Sequence, residues 1–346
     1  MSLEKSVLNK DKISALLSNE YGLTLIDCVN LAFGSANCYK ILCKEGEFFL
    51  KEYQSIFTTE KVNKEADIVE YLISNKFPVA GFIKANNGCN CVMCEDHVIS
   101  VQDYIEGKTY LNDLPHALLT EEAKYLGVMH SLLKDYPMER SMDYSWAKGF
   151  SSQGISQKFN ALLSALDENP SDPNYEKIHD DLVFKRQLMD LIDDWKEYFK
   201  GITYTSTHGD YTACQLICDE DNIKAIIDFS SAECIPAVWE IMRSYIQSGG
   251  VSRSGSCFDI EDFSIYVKEY MKYSPLTKGD LEAMPYIYLF QLAQSSYGYK
   301  EYLVTKSENR EALLDFAFWR TDICREIYQK AKAISEALVG NEDIAD

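Results

Sequence analysis

The sequence predicts an α+β protein with a small antiparallel sheet in its N-terminal part and a larger, mostly helical C-terminal part. Three extended stretches near the N-terminus follow one another across short polar turns, which is the pattern of a β-meander. Farther along the chain, apolar residues recur at helical spacing. The 346 residues, 46% of them hydrophobic, are enough to build two domains or one large two-lobed domain with a sizeable core.

The N-terminal elements are predicted from alternation and from turn residues. Asn9 and Asp11 are candidate caps for a first amphipathic helix, and Thr59 is a candidate cap for a second. A further pair of strands is expected on either side of the turn Asn86-Asn87-Gly88, followed by a strand at 98–104. The predicted helices are 9–20 and 60–74, and the three meander strands are 23–32, 38–42 and 47–53.

The C-terminal part is predicted to consist of helices. The first is expected to begin at Thr120 and to carry His130 as a hydrogen-bonded core residue, not as a catalyst. Residues 136–200 contain a polar, irregular section and are interpreted as an insertion, not as a separate domain. Thr277 and Asp280 form a variant of the capping box. The other predicted helices are 180–198, 259–273, 277–305 and 311–338.

The stretch 202–231 lies within the C-terminal part and holds the most informative motif. A short apolar strand ends in Thr-His-Gly-Asp at 207–210, and two short strands at 215–218 and 223–227 follow across a polar turn. Asn and Asp in the turn tolerate left-handed backbone angles, so a hairpin is predicted. Folding the hairpin back brings Asp210, Gln215 and Asp228 to the same end.

Two carboxylates and one amide oxygen match what phosphoryl transfer requires. One carboxylate orients a hydroxyl group and accepts its proton, while the other carboxylate and the amide hold magnesium on the nucleotide phosphates. The alternative is a surface hairpin whose acids stay in water, which is the usual explanation for a single Asp. The apolar strand, the His-Gly-Asp triplet and the Ile-Ile-Asp-Phe strand end together favour a site.

The two motifs, His-Gly-Asp at 208–210 and Ile-Ile-Asp-Phe at 226–229, resemble the catalytic loop and the metal-binding strand of the aminoglycoside phosphotransferase and choline kinase superfamily. The fold of that superfamily is similar to the protein kinase fold. The sequence departs from the family pattern at Thr212, where a second His is usual, and at Gln215, where Asn is usual. The longer Gln arm puts metal affinity and substrate class in question more than the fold.

The resemblance implies a protein-kinase-like two-lobed fold, with a nucleotide-binding lobe at 1–103 and a catalytic and substrate-binding lobe at 104–346. It implies ATP and Mg²⁺ as cofactors. Asp210 is the implied catalytic residue, and Gln215 and Asp228 are the implied metal ligands.

In the N-terminal lobe the resemblance implies a nucleotide site. Lys51 falls where the family places the lysine that contacts the phosphates, and Glu65 matches the helix acid that pairs with it, with Glu60 and Glu70 as competitors. Small residues in the first turn would approach a phosphate, and the chain near residue 104 would hold the adenine edge through its main chain. The further candidate nucleotide-binding residues are Gly34, Ser35, Gln102 and Tyr104.

The implied function is an ATP-dependent phosphotransferase that acts on a hydroxyl group of a small molecule. An aminoglycoside, choline or another amino alcohol, a homoserine-like amino acid and a sugar are all open as acceptors. The alternative is a non-catalytic, kinase-like nucleotide-binding or scaffold protein related to spore-coat proteins. A protein Ser/Thr kinase is disfavoured because the first turn is not glycine-rich.

Composition limits the partners. A net charge of −20 disfavours nucleic acid, is compatible with a cationic substrate, and is also what ordinary acidic solubility would give. No apolar run approaches the roughly 20 residues that a membrane span needs. The N-terminus lacks the apolar core of a signal peptide, and eleven cysteines are an odd number, so reduced thiols in the cytoplasm are expected.

Overall fold

The computed structural model describes residues 3–31, 36–138, 150–220, 222–253 and 257–340. The chain divides into two compact units, and each unit takes in three segments of the sequence. The first unit consists of Met1–Thr109, His208–Asp210 and Cys214–Ala232, and the second of Tyr110–Thr207, Tyr211–Ala213 and Glu233–Asp346. The functional lobes 1–103 and 104–346 stay a prediction.

The first unit contains a five-stranded antiparallel sheet with the strand order β1-β2-β3-β5-β4. The predicted meander of the first three strands is confirmed. The strands are β1 Leu25–Leu31, β2 Asn37–Cys43, β3 Gly46–Glu52, β4 Val92–Cys94 and β5 His97–Asp103.

The strand predicted ahead of the turn at 86–88 is wrong. Val79 and Phe82 form only isolated bridges there. Pro78 has no N–H to donate, and the N–H of Gly81 donates to the carboxylate of Asp103 instead of to a strand carbonyl, at 3.1 Å. Continuous pairing is therefore interrupted on both sides of Val79.

Two helices belong to the first unit, and both begin at a side-chain cap. Asn9 caps α1, Lys10–Leu16, which a π-helical turn, Leu17–Tyr21, extends. Thr58, one residue earlier than predicted, caps α2, Thr59–Ser74, by accepting from the N–H of Lys61. Alternation along the sheet and the apolar stripe of α1 fill one core, which includes Ile13, Leu17, Ile41, Leu50, Ile99 and Val101.

The predicted hairpin is confirmed and lies in the first unit. Its strands, β7 Leu216–Cys218 and β8 Ile223–Ile226, pair antiparallel. The N–H of Ile226 donates to the carbonyl oxygen of Pro78 at 2.9 Å, and Lys108 and Cys218 exchange two backbone hydrogen bonds. Main-chain hydrogen bonds thus join the hairpin to the N-terminal segment, and no pattern of side chains predicts them.

The second unit is mainly helical and also contains a short antiparallel pair, β6 Tyr204–Ser206 with β9 Cys234–Pro236. Its helices include α3 His116–Leu133, α4 Ser152–Asp167, α5 Tyr175–Leu188, α6 Ile192–Trp195, α7 Ala237–Tyr245, α8 Ile260–Met271, α9 Lys278–Gln294 and α10 Arg310–Gly340. Across the described ranges, no helix is both long enough and apolar enough to cross a lipid bilayer.

Several predicted helix boundaries in the second unit are wrong. α3 begins at His116, a turn before Thr120. The predicted helix 180–198 is instead α5, which ends at Leu188, and α9 ends at Gln294 instead of near residue 305. At the end of α9 the buried Lys185 ammonium donates to two carbonyl oxygens, those of Leu292 and Ser295, at 2.9 Å each, which satisfies acceptors that a longer helix would have paired.

Two predictions about side chains in this unit are confirmed. The capping box of α9 is complete, with Thr277 and Asp280 bonding each other's backbone N–H. His130 is buried and bonds to the Tyr270 hydroxyl at 2.8 Å and to the Glu240 carboxylate at 2.9 Å.

Candidate active site

The first unit contains a buried lysine between two acids. Lys51 lies on β3 and its side chain is 7% exposed. Its ammonium lies 2.7 Å from a carboxylate oxygen of Asp228 and 3.7 Å from one of Glu65. Asp228 is the second residue after the end of hairpin strand β8, and Glu65 lies on the buried face of α2. Of the three predicted candidates for the helix acid, Glu65 is the one that contacts Lys51.

The charges in this cluster perturb one another in a consistent way. Burial by itself would lower the pKa of Lys51, but Asp228 and Glu65 outweigh it and raise that pKa well above its usual value. Burial favours the neutral form of Asp228, but Lys51 and Ser230 overcome it and lower the pKa of Asp228 to about 2. Burial raises the pKa of Glu65 in spite of Lys51. Lys51 and Asp228 therefore form a stable ion pair.

Two neighbouring hydroxyl groups complete the cluster. Tyr53 donates to the second carboxylate oxygen of Glu65 at 2.9 Å, and its ring lies 4.6 Å from the Lys51 ammonium. Ser230 donates to Asp228 at 2.6 Å. The acids are thus held by hydrogen bonds as well as by the lysine, which reduces the cost of burying them.

Asp210 and Gln215 are brought together by the chain that leads into the hairpin. The amide nitrogen of Gln215 donates to a carboxylate oxygen of Asp210 at 3.3 Å. The backbone carbonyl oxygen of Gln215 accepts from the N–H of Ile227 at 3.0 Å. Ile227 is the residue before Asp228 in the chain. The three polar residues therefore lie at one end of the hairpin, as the sequence predicts.

His208 links the Asp210 loop to the chain that leads from β8 to Asp228. Its Nε2 lies 2.9 Å from the carbonyl oxygen of Ile227, and the N–H of Asp210 donates to its Nδ1 at 3.3 Å. A carbonyl only accepts, so Nε2 carries the proton and Nδ1 is free to accept. The fully buried ring also packs against Phe229, with ring centroids 4.5 Å apart.

Backbone strain is concentrated at the same place. Asp228 has a left-handed conformation, with φ of 64° and ψ of 65°, which is uncommon for a residue other than glycine and often marks a functional position. Gly209 has φ of 80°, and a Cβ there would lie 1.9 Å from the carbonyl oxygen of Ser231. Only glycine fits at residue 209.

The remaining predicted nucleotide-binding residues are less informative. Gly34 and Ser35 lie outside the described residues. Gln102 is buried on β5 and donates to the Ser100 hydroxyl at 3.2 Å. The ring of Tyr104 faces the Lys40 ammonium at 4.1 Å. The nucleotide-binding roles of these four residues stay predictions.

Sequence reasoning identified the acids and the lysine but missed three supporting groups. The sequence assigns no role to Tyr53 or Ser230, and it indicates His208 only as part of the His-Gly-Asp motif. Tyr53 and His208 contact residues of other segments, whereas Ser230 contacts Asp228, two residues before it in the chain. A hydroxyl two residues after a motif acid is the one signal that the sequence offered.

The arrangement has the groups that phosphoryl transfer uses. A buried cation faces two acids, and a separate carboxylate on a rigid turn lies beside an amide. Carboxylate and amide oxygens suit a hard divalent cation, and a lysine suits phosphate oxygens.

Comparison of the sequence with family profiles gives a match over most of the chain. Residues 30–259 match the profile described as the phosphotransferase enzyme family. This range includes the sheet from β2 onward and the whole of the Lys51, Asp210 and Asp228 region. No curated protein sequence shows significant similarity to the chain.

Solved structures with the same fold include three kinases. An amicoumacin kinase in complex with AMP-PNP, Ca²⁺ and Ami has a TM-score of 0.66 at 15% identity, covering 93% of this chain and 97% of that one. A spectinomycin phosphotransferase bound to ADP and spectinomycin has a TM-score of 0.63 at 14% identity, covering 94% and 100%. A microcompartment-associated aminopropanol kinase has a TM-score of 0.61 at 12% identity, covering 94% and 99%. The predicted kinase-like α+β fold is confirmed.

Proposed function

Because the chain belongs to the phosphotransferase enzyme family, we propose that it is an ATP-dependent kinase that phosphorylates a hydroxyl group of a small molecule. The observation that carries this proposal is the end of the hairpin, where Asp210, Gln215 and Asp228 converge while Asp228 is paired with the buried Lys51. A scaffold protein has no need for a buried lysine paired with an acid on a strained turn, beside a separate carboxylate.

Asp210 is proposed to orient the acceptor hydroxyl and to take its proton as the phosphoryl group is transferred. Lys51 is proposed to bind phosphate oxygens of ATP, with Glu65 holding its side chain in position. The Lys51–Asp228 ion pair keeps the lysine charged and oriented before the nucleotide binds, so part of the cost of ordering the site is met by folding.

Asp228 and Gln215 are the proposed ligands for Mg²⁺, and their oxygens are of the kind that this ion prefers. Within the described residues, no group of three or more His, Cys, Asp or Glu side chains is arranged to hold a metal. That suits an ion that takes few protein ligands and completes its shell with phosphate oxygens and water. When bound, Mg²⁺ would neutralise negative charge on the phosphates.

The acceptor is proposed to be a small hydroxyl compound that also carries an amino group. The kinases with the same fold are named for amicoumacin, spectinomycin and aminopropanol. The net charge of −20 supports a cationic acceptor by raising its concentration near the protein. ATP, Mg²⁺ and an amino-bearing alcohol are thus the proposed reactants.

The test is magnesium-dependent ATP turnover with pooled aminoglycosides, amino alcohols, amino acids and sugars. One pool should stimulate turnover by the wild-type protein, and Asp210→Asn should abolish the stimulation while ATP affinity changes by less than about threefold, because Asp210 acts on the acceptor. Asp228→Ala should instead weaken binding of the magnesium–nucleotide complex. Asp67→Asn, at an exposed position on α2, is the matched control and should behave as wild type.

Retained turnover in Asp210→Asn would contradict its catalytic role. Binding of ATP with no stimulation by any pool would favour the non-catalytic alternative. No binding of ATP would contradict the roles proposed for Lys51 and Asp228.

A further inference from the structure

The second unit contains a buried carboxyl group that the proposed mechanism does not use. Glu122 lies on α3 and is fully buried. The hydroxyl of Ser244, on α7, donates to its Oε1 at 2.8 Å, and the hydroxyl of Ser248, in the π-helical turn Ile246–Gly250, donates to the same oxygen. Both serines are also fully buried.

The other carboxyl oxygen of Glu122 is buried, and none of the residues that the structure describes forms a hydrogen bond with it. Among the described residues, no lysine, arginine or histidine lies within ion-pair distance of it. A negative charge here would be uncompensated, and such charges are neutralised in proteins by taking up a proton. Burial raises the pKa of Glu122 to about 8, and the two serines and Tyr266 only partly oppose it.

The titratable groups that face this network from neighbouring elements are not cations. They are Tyr266 on α8, Glu240 on α7, and Tyr211 in the segment that follows Asp210. Burial raises the pKa of Tyr266 well above its usual value, so its phenol stays neutral, and the carboxylate of Glu240 bonds to His130 at 2.9 Å. Each of these groups, if charged, would be negative and would disfavour ionisation of Glu122 further.

The network is connected to the segment that follows the proposed catalytic Asp210 in the chain. The N–H of Ala213 donates to the Ser248 hydroxyl at 2.8 Å, and that hydroxyl in turn donates to Glu122. The Tyr211 hydroxyl donates to the backbone oxygen of Glu122 at 3.1 Å. Tyr211–Ala213 directly follows Asp210 and is separated from Gln215 by one residue, so it is joined to both through a short stretch of main chain.

We propose that Glu122, as a neutral carboxylic acid, is a positioning residue that fixes Tyr211–Ala213 through Ser248, and thereby limits the movement of Asp210 and Gln215. The inference rests on the proposed function for the roles of those two residues. Ionisation of Glu122 favours local openings of the structure that bring water to its second carboxyl oxygen. The hold on Tyr211–Ala213 is therefore lost more often as the pH rises.

The test is hydrogen exchange of the Ala213 amide in the full-length protein, corrected for the intrinsic pH dependence of exchange. Openings that let Glu122 ionise become about tenfold more frequent per pH unit between its ordinary pKa and the raised one. Protection of Ala213 in the wild type should therefore fall about tenfold per pH unit between about pH 5 and pH 8 and then level off. In Glu122→Gln, which mimics the neutral acid, protection should not change with pH.

Ser248→Ala removes the hydroxyl that joins Ala213 to Glu122 and should speed exchange at Ala213 at every pH. Ser264→Ala is the matched control, because Ser264 is also a buried serine of the second unit and bonds only within α8. It should leave Ala213 unchanged. Equal pH dependence of Ala213 protection in wild type and Glu122→Gln would overturn the proposal.

A kinetic readout follows once an acceptor is known. Turnover by the wild type should decline above about pH 8 with an unchanged KM for ATP, and Glu122→Gln should not show this decline. The exchange result does not depend on kinase activity, so failure of the proposed function leaves it standing. Conversely, if the protein is an active kinase but protection of the Ala213 amide does not change with pH, the role proposed for Glu122 is contradicted and the proposed function is not.

Discussion

Lys51 is a residue at which burial and charge oppose each other. An isolated lysine at 7% exposure would tend to lose its proton, yet two acids hold it charged. One of them, Asp228, sits in a strained backbone conformation. Replacing only one member of such a cluster is costly, because the other members then carry a buried and unbalanced charge.

The Lys51–Asp228 pair predicts a pH dependence of stability. The pKa of Asp228 is lowered to about 2 from an ordinary value near 3.8, so its stabilising contribution is present above about pH 4 and is lost as the pH falls towards 2. The free energy of unfolding of the wild type, relative to Asp228→Asn, should fall by about 2 kcal/mol over that range.

Denaturant unfolding at a series of acidic pH values measures this difference. The exposed Asp67→Asn variant should track the wild type throughout. A constant gap between wild type and Asp228→Asn would mean that the ion pair contributes no net charge stabilisation.

At the scale of elements, the loop at His208–Asp210 is determined by sterics as much as by chemistry. The loop passes so close to the chain after Asp228 that residue 209 has no room for a side chain. His208 ties the loop to the chain after β8 through its hydrogen bond to the carbonyl oxygen of Ile227, and within the loop it accepts from the N–H of Asp210. The motif therefore orients Asp210 by restricting the backbone conformations that the loop can adopt.

Gly209→Ala should be strongly destabilising. Gly88→Ala is the matched control, because Gly88 has φ of 83° but no atom within 4 Å of an added Cβ. Both variants suffer the left-handed backbone penalty of about 1–2 kcal/mol, and only Gly209→Ala adds a clash with backbone. Thermal or denaturant unfolding should show Gly209→Ala to be less stable than Gly88→Ala by at least about 2 kcal/mol. Equal losses would show that the loop can shift to accommodate a methyl group.

At the scale of the whole molecule, the excess of acids is the dominant feature. The chain has 54 acidic and 34 strongly basic residues, which gives the net charge of −20. Self-repulsion of this size destabilises the compact state and is screened by salt.

Raising the NaCl concentration from about 10 mM to about 200 mM should therefore raise the midpoint of thermal unfolding at neutral pH, because the Debye length falls from about 30 Å to below 10 Å. KCl should give the same shift, which separates screening from binding of a specific ion. A midpoint that does not change with either salt would mean that favourable ion pairs balance the repulsion.

The sequence by itself determined the class of fold, the order of the main elements and the pairing of the motif acids. It did so because each depends on local pattern: alternation and turns for the meander, Asn and Asp for the hairpin turn, and motif spacing for Asp210, Gln215 and Asp228. Helix ends were less predictable, since α9 ends where Lys185, distant in sequence, satisfies its carbonyl groups.

Only the tertiary structure decided which acid pairs with Lys51, how His208 joins two segments, and where Glu122 lies. Glu65 and Glu122 look alike in the sequence as glutamates on amphipathic helices. Glu65 is buried beside the Lys51 ammonium, whereas Glu122 is buried beside two serine hydroxyl groups, and one of its carboxyl oxygens has no hydrogen-bond partner among the described residues. The ionisation of a buried acid depends on neighbours from several segments, which no local pattern of residues records.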